Sequence, residues 1–242
     1  MGNLNVVGLG PGNKDNMTFR AYDALIRSDY LVGYTNYIKL IPKEITGKEI
    51  ISTGMGDEVL RCEQALEKAN EGYEVSLVCS GDSVIYGMAS LCYELIDKYK
   101  NVTINVIPAV TAAVSGSALI GAALGNDFTV IRLSNNLTKK EDTYKRLKAC
   151  AEADFVMALY NPKSNKRPDC LKDACEFLLK YIEEERICAV AKNIGRENET
   201  YEIMTLIELK DFDADMYSTV FIGSSMTTII DDKFVTKRGY SI

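Results

Sequence analysis

The sequence predicts an α/β fold of two αβα domains, the first built on a mostly parallel sheet and the second on a mixed one. Three observations carry this. Short apolar runs alternate with longer segments whose apolar residues recur at helical spacing, as strands joined by crossover helices do. The early runs, such as VSLVCS (75–80), barely alternate in polarity and are rich in Val and Leu, as strands buried on both faces are. Late in the chain three apolar runs follow one another with little helix between them, which favours antiparallel partners.

LNVVGLG (4–10) reads as a first strand that ends in glycines. TFRAYDALIRS (18–28) reads as a helix with Thr18 at its N-cap. YLVGY (30–34) and EIIST (49–53) are the second and third strands. EVLRCEQALEKANEG (58–72) is a helix with an apolar stripe of Leu60, Ala65, Leu66 and Ala69, ended by Gly72. VSLVCS is the fourth strand, IYGMASLCYELIDKY (85–99) a helix, and TINVIP (103–108) a fifth strand closed by Pro108. Right-handed crossovers between them give a mainly parallel sheet.

At Thr111 the character changes. TAAVSGSALIGAAL (111–124) is a helix of Ala, Gly and Ser, suited to close approach against backbone or a ligand. Then come a strand in FTVIRLS (128–134), a helix in KKEDTYKRLKACAEA (139–153), a strand in DFVMALYNP (154–162) and a helix in CLKDACEFLLKYIEE (170–184). RICAVAKNI (186–194), YEIMTLIEL (201–209) and STVFIGSS (218–225) complete the mixed sheet. Two domains, 1–110 and 111–242, are therefore expected, tightly coupled because no Pro- or Ser-rich linker parts them, with a ligand in the cleft between.

Composition narrows the chemistry. The 242 residues include no histidine, which excludes Ser-His and Cys-His catalysis. The seven cysteines form no C-x-x-C pair, so reduced and mostly buried thiols are expected, and no metal site. With 28 Lys and Arg against 34 Asp and Glu the net charge is −6, which argues against nucleic acid. An anionic small molecule remains possible through local clusters: Lys163, Lys166 and Arg167, or Lys237 and Arg238. No run approaches the ~20 apolar residues of a membrane span, and MGNLNVVGLGPG has no basic n-region before a long apolar stretch. A cytoplasmic protein is expected.

GLGPG (8–12) is not a dinucleotide fingerprint: Pro11 occupies the turn, offers no N–H to a pyrophosphate, and the helix starts only near Thr18. SGD (80–82), PAVTAA (108–113) and FVMALYNP (155–162) all sit at strand ends, where ligands of open α/β sheets bind. SGD reads equally as a strand-to-helix turn with Asp82 as N-cap. Loops of small, uncharged residues suit a largely neutral ligand better than a triphosphate.

Together GLGPG, GDSVIYGMA (81–89) and PAVTAA resemble the tetrapyrrole methylase superfamily, enzymes that use S-adenosylmethionine on corrin and sirohaem precursors. Within it, IYGMA, LYNPKSNKR (159–167), KNIGRENE (192–199) and TKRGY (236–240) are similar to the C17-methyltransferases of cobalamin biosynthesis, in order along the whole chain. The resemblance implies a cofactor bordered by Pro11 and contacted by Gly81, Asp82, Ile85, Thr111 and Ala112, with Tyr160 and the backbone near Asn193 closing over it from the second domain. It places an anionic macrocycle near Tyr86, Met88, Lys163, Arg167 and Arg238. It implies methyl transfer to C17 of (cobalt-)precorrin-3, ring contraction and lactone formation; Asp127 and Tyr86 are the candidates for the accompanying proton movement. It also implies a homodimer.

The chain departs from the family pattern at three places. Ala109 replaces a glycine, Asn126 stands where a histidine precedes Asp-Phe, and Gly223-Ser224-Ser225 replaces G-N-S. The chain ends soon after TKRGY, so no appended cluster-binding module is expected. Alternatives are a sister methylase acting at another macrocycle carbon or on diphthamide, and a cofactor-binding regulator without turnover.

Overall fold

The computed structural model describes residues 1–134, 137–164 and 167–241, so Lys166 of the expected basic cluster lies outside the described residues. The chain divides into two compact units, Met1–Ala112 and Ala113–Ile242.

The first unit runs β1 (Gly2–Gly8), α1 (Phe19–Arg27), β2 (Tyr30–Tyr34), α2 (Thr35–Ile38), β3 (Glu49–Thr53), α3 (Glu58–Asn70), β4 (Glu74–Cys79), α4 (Ala89–Leu95) and β5 (Val102–Ile107). Its strands lie in the order β3-β2-β4-β1-β5, every pair parallel. Alternation along β1 explains the two layers of core. Leu4 and Val6 pack with Cys62, Ala65, Leu66 and Ala69 of α3 and Cys92 of α4. Val7 faces the other way, toward Ala21, Ala24 and Leu25 of α1. A parallel sheet so covered must be apolar on both faces, as the early runs are. Two polar exceptions are bonded: Asn5 with Glu74 and Asn105, and Ser76 of β4 with the Ser28 hydroxyl.

Thr18 caps α1 through its hydroxyl, which accepts from the Ala21 amide. The stripe on α3 needs correcting: Leu60 is 49% exposed, and Arg61 and Cys62 are buried with Ala65, Leu66 and Ala69. Arg61 enters the core because Thr53 Oγ1 and the Gly54 carbonyl accept its N–H groups at 2.8 and 2.7 Å. The α4 helix is also shorter than its apolar run implied. Residues 85–88 belong to the preceding loop, and a 3₁₀ turn, Ile96–Lys98, follows.

The second unit takes in most of α5 (Ala112–Ile120), then β6 (Gly121–Ala122), β7 (Phe128–Arg132), α6 (Lys140–Glu152), β8 (Val156–Tyr160), α7 (Cys170–Leu178), β9 (Ile187–Lys192), β10 (Thr200–Thr205), α8 (Leu206–Leu209), β11 (Ser218–Ile222), β12 (Thr227–Ile230) and β13 (Lys233–Thr236). Its main sheet, β10-β9-β11-β8-β7, is mixed: β7 and β8 are parallel and the other pairs antiparallel. Two features depart from the sequence reading. YEIMTLIEL is half strand and half helix, because Thr205 and Glu208 form a reciprocal capping box that starts α8. A second small sheet, β12-β13-β6, closes the unit, its hairpin turning at Asp231 and Asp232, both at positive φ.

One polar knot organises this unit. Arg186 donates to Asp154 (2.9 Å), Glu183 (2.6 Å) and the Gly223 carbonyl (2.9 Å). Asp154 in turn accepts from the Ser225 amide, so the Gly223-Ser224-Ser225 segment is anchored through a carboxylate. Among the described residues no helix is long and apolar enough to cross a membrane. All seven cysteines are free, and burial pushes the Cys79 and Cys175 thiols up to about 12, so they are inert packing groups.

Candidate functional site

At the carboxyl ends of β4, β1 and β5 three loops are tied into one surface. The loop after β1 and the loop after β4 join through paired backbone bonds: Gly10 N–H donates to the Gly81 carbonyl (3.1 Å) and Gly81 N–H to the Gly10 carbonyl (2.8 Å). Both glycines sit at positive φ, +77° and +70°, a conformation side chains rarely take. The loop after β4 then reaches the loop after β5. Asp82 Oδ1 accepts from the Val84 and Ile85 amides (2.8 and 2.9 Å), and Oδ2 accepts from the Ala109 amide (2.8 Å). Ser83 supports the same link by donating to the Ile107 carbonyl at 2.9 Å.

Asp82 is 7% exposed, and both its oxygens are committed to backbone. It does not cap α4, whose N-cap position is Met88. It shapes the loop, so what it can offer a ligand passes through the backbone it holds. The bonds to Val84 and Ile85 form a local turn of the kind Asp makes readily. The bond to Ala109 joins strands separated by a whole helix, and no local pattern announces it.

The turn leaves Val84, Ile85 and Tyr86 standing out from the surface, Ile85 41% and Tyr86 45% exposed. Tyr86 has φ +55°, an uncommon conformation for a large aromatic residue. Gly87 makes the turn possible: a Cβ there would lie 2.2 Å from the Ser83 carbonyl oxygen. Met88, expected at the macrocycle, packs instead against the core under α3 and α4. Pro11 is buried behind the Gly10 turn, and Thr111 and Ala112 lead from β5 into α5. Pro11, Gly81, Asp82, Ile85, Tyr86, Thr111 and Ala112 thus share one end of the first unit's sheet.

In the second unit the candidates scatter. Tyr160 ends β8, and its hydroxyl accepts from the Ala113 amide at 2.6 Å. Asn193, at φ +52°, follows β9 and donates to the Asn198 carbonyl. Asp127 precedes β7, whose first residue pairs with Val156 and whose last pairs with Tyr160. It therefore lies at the opposite end of that parallel pair from Tyr160, about 17 Å away at ~3.3 Å per residue. Asp127 is exposed. Lys163 is paired with Asp213, which raises the lysine pKa and lowers that of the aspartate. Arg238, beyond β13, stacks on Tyr240. Arg167 lines a cavity with Leu133, residues of α6 and the start of α7.

Loops of small residues at strand ends let a ligand lie close against the backbone, at the place where open α/β sheets hold one. The chain belongs to the tetrapyrrole (corrin/porphyrin) methylases, whose family model matches residues 3–210. It is 40% identical over 241 residues to the probable cobalt-factor III C(17)-methyltransferase of Salmonella typhimurium, covering 99% of this chain and all of that one. It is 39% identical over 244 residues to the cobalt-factor III methyltransferase of Priestia megaterium, where it covers 99% of itself and 45% of the longer relative. The crystal structure of the methyltransferase CobJ superposes with a TM-score of 0.91 at 33% identity, covering 98% of this chain and all of that one.

Proposed function

We propose that this protein is an S-adenosylmethionine-dependent methyltransferase that methylates C17 of cobalt-factor III or a precorrin-3-type macrocycle in cobalamin biosynthesis. The observation that carries the reading is the surface in which Asp82 and the Gly10–Gly81 pair bind three strand-end loops together. Family membership and the full-length likeness to relatives named for C17 support the choice of substrate.

The residues fit the cofactor. A Cβ at Gly81 would come within 4.0 Å of Thr111 and Ala112, so glycine leaves an open backbone cradle there, bordered by the apolar Val84 and Ile85. When bound, S-adenosylmethionine supplies an electrophilic methyl on a sulfonium, which asks for orientation more than for acid or base. The Gly81, Thr111 and Ala112 backbone orients it, Pro11 closes the back of the cradle, and Asp82 keeps the loops from parting.

Ring contraction needs a proton moved at a substrate oxygen. We assign this to the Tyr86 phenol, which stands on the same loop as the cradle, in preference to Asp127 at the amino end of β7. Asn126, whose side chain accepts from the Asp127 amide, carries no proton in either direction at neutral pH. A cytoplasmic homodimer completes the reading, on the resemblance.

The test is anaerobic incubation with S-adenosylmethionine and cobalt-factor III, followed by mass spectrometry of the macrocycle. Gain of one methyl is expected. Cofactor binding with no gain on this or sister macrocycles would leave a regulator instead, and gain only on another macrocycle a sister methylase.

A further inference from the structure

Resting on the methyltransferase reading, we infer that Arg61 and Tyr34 form a subsite for one carboxylate of the macrocycle, at the carboxyl ends of β2 and β3. Tyr34 is the last residue of β2 and is paired with Thr53, the last of β3. On its other side Gly33 pairs with Val78, so Tyr34 stands beside the end of β4, where the Gly81 loop begins. Arg61, from the first turns of α3, reaches these strand ends and lies over the Tyr34 ring at 5.9 Å. Its charge is felt at Cys79, the last residue of β4, where burial raises the thiol pKa and Arg61 pulls the other way. This is the end of the sheet at which open α/β folds hold ligands.

Both side chains keep an uncommitted donor. Arg61 is 4% exposed and always charged, yet no carboxylate pairs with it among the described residues. Asp57, one turn earlier, turns its carboxylate to the Gly54 amide instead. Nε and Nη2 of Arg61 donate to Thr53 Oγ1 and the Gly54 carbonyl, both neutral. Nη1 donates to no described acceptor, and it is not sealed from solvent. The Tyr34 hydroxyl accepts from Asn36 at 3.0 Å, while its own proton reaches no acceptor among the described residues. An arginine so buried is almost always paired. Held by neutral groups, with an open phenol proton beside it, this one is a seat for an anion.

Sheet order decides whose anion. The Gly81, Thr111 and Ala112 cradle lies over β4, β1 and β5 in a sheet ordered β3-β2-β4-β1-β5. Arg61 and Tyr34 lie on the far side of β4, one to two strands away at roughly 5 Å per strand. A cofactor seated in the cradle therefore leaves the β2 and β3 ends to its larger partner. A cobalt-factor III-type macrocycle carries acidic side chains on its rim, and one guanidinium with one phenol matches one carboxylate. S-adenosylmethionine also carries a carboxylate, so the test separates the two sources.

The experiment titrates the full chain with cobalt-factor III by visible absorption, which reads binding without turnover. Arg61→Gln should raise Kd at least about tenfold, with S-adenosylmethionine affinity by calorimetry unchanged. Tyr34→Phe keeps the ring and removes only the hydroxyl, so it should raise Kd about threefold with Tm near wild type. Arg61→Lys keeps the charge, carries the test if Arg61→Gln fails to fold, and should bind between Arg61→Gln and wild type. The carboxylate methyl ester of the macrocycle separates recognition from shape: wild type and all three variants should bind it alike. Equal weakening toward acid and ester, or an unchanged Kd in both Tyr34→Phe and Arg61→Lys, would make the pair structural and overturn the subsite. Weakened S-adenosylmethionine binding with an unchanged macrocycle Kd would overturn the macrocycle assignment. The expected Kd changes without methyl transfer by the wild type would sink the methyltransferase reading and leave the subsite standing.

Discussion

Asp82 is the residue on which the site turns. Its carboxylate accepts three amide hydrogens from two loops, so removing it leaves three part-buried N–H groups without that acceptor. Asp82→Ala should lower unfolding free energy by about 2–4 kcal/mol in urea titrations and weaken S-adenosylmethionine binding by calorimetry. Asp82→Asn keeps the shape but turns an N–H₂ toward a donor at one of the two loops, so about half that loss is expected. Nearby, Tyr86→Phe should separate the two chemical steps: methylation should persist while the contracted product falls at least tenfold by chromatography. Equal loss of both products would remove the proton role. Part of this was legible in the sequence. The string GDSVIYGMA announces a special turn, and Asp followed by amides two and three residues on is a local pattern. The bond to Ala109 and the packing of Met88 on the core depend on contacts between distant segments, which no local pattern encodes.

The elements were readable where one signal dominated and misread where two competed. The Thr18 cap and the buried runs of β1 and β4 left no alternative, and the helices came out in the right order. Helix ends were overrun where apolar residues that still pack on the core continue past the last helical turn, as Met88 before α4 and Ile182 after α7 do. TLIE looked like more strand because Leu and Ile extend the run, yet Thr205 and Glu208 three apart are a capping signature and won. Thr205→Ala should therefore cost about 1 kcal/mol in denaturant melts. The Arg186 knot gives the second unit a pH dependence. Burial alone would raise the Asp154 pKa, but hydrogen bonds from Ser225 and Arg186 bring it below its ordinary 3.8; Arg186 likewise lowers Glu183. A carboxylate held below its unfolded value stabilises fully above that value and loses the contribution as pH falls from about 4 through the folded one. Asp154→Asn should be less stable than wild type at pH 7, and the difference should shrink steadily as the pH falls below about 4 in urea melts. A constant difference across that range would contradict the assignment.

For the whole molecule, the α/β class, the parallel first sheet and the mixed second one were legible, because both kinds of buried strand leave a compositional trace. The small β12-β13-β6 sheet was not: its strands are short, and its Asp231-Asp232 turn lacks the glycine that marks most such hairpins. The family followed from motifs spread along the full chain, and the comparisons bear it out. The chain is a member of this family with no histidine in any position. The most direct test is ¹³C NMR of the macrocycle produced anaerobically from cobalt-factor III and S-adenosylmethionine labelled in its methyl group. The account predicts one labelled methyl on C17 of a ring-contracted product. A labelled methyl on another carbon, or no labelled macrocycle from protein that binds the cofactor, would contradict it.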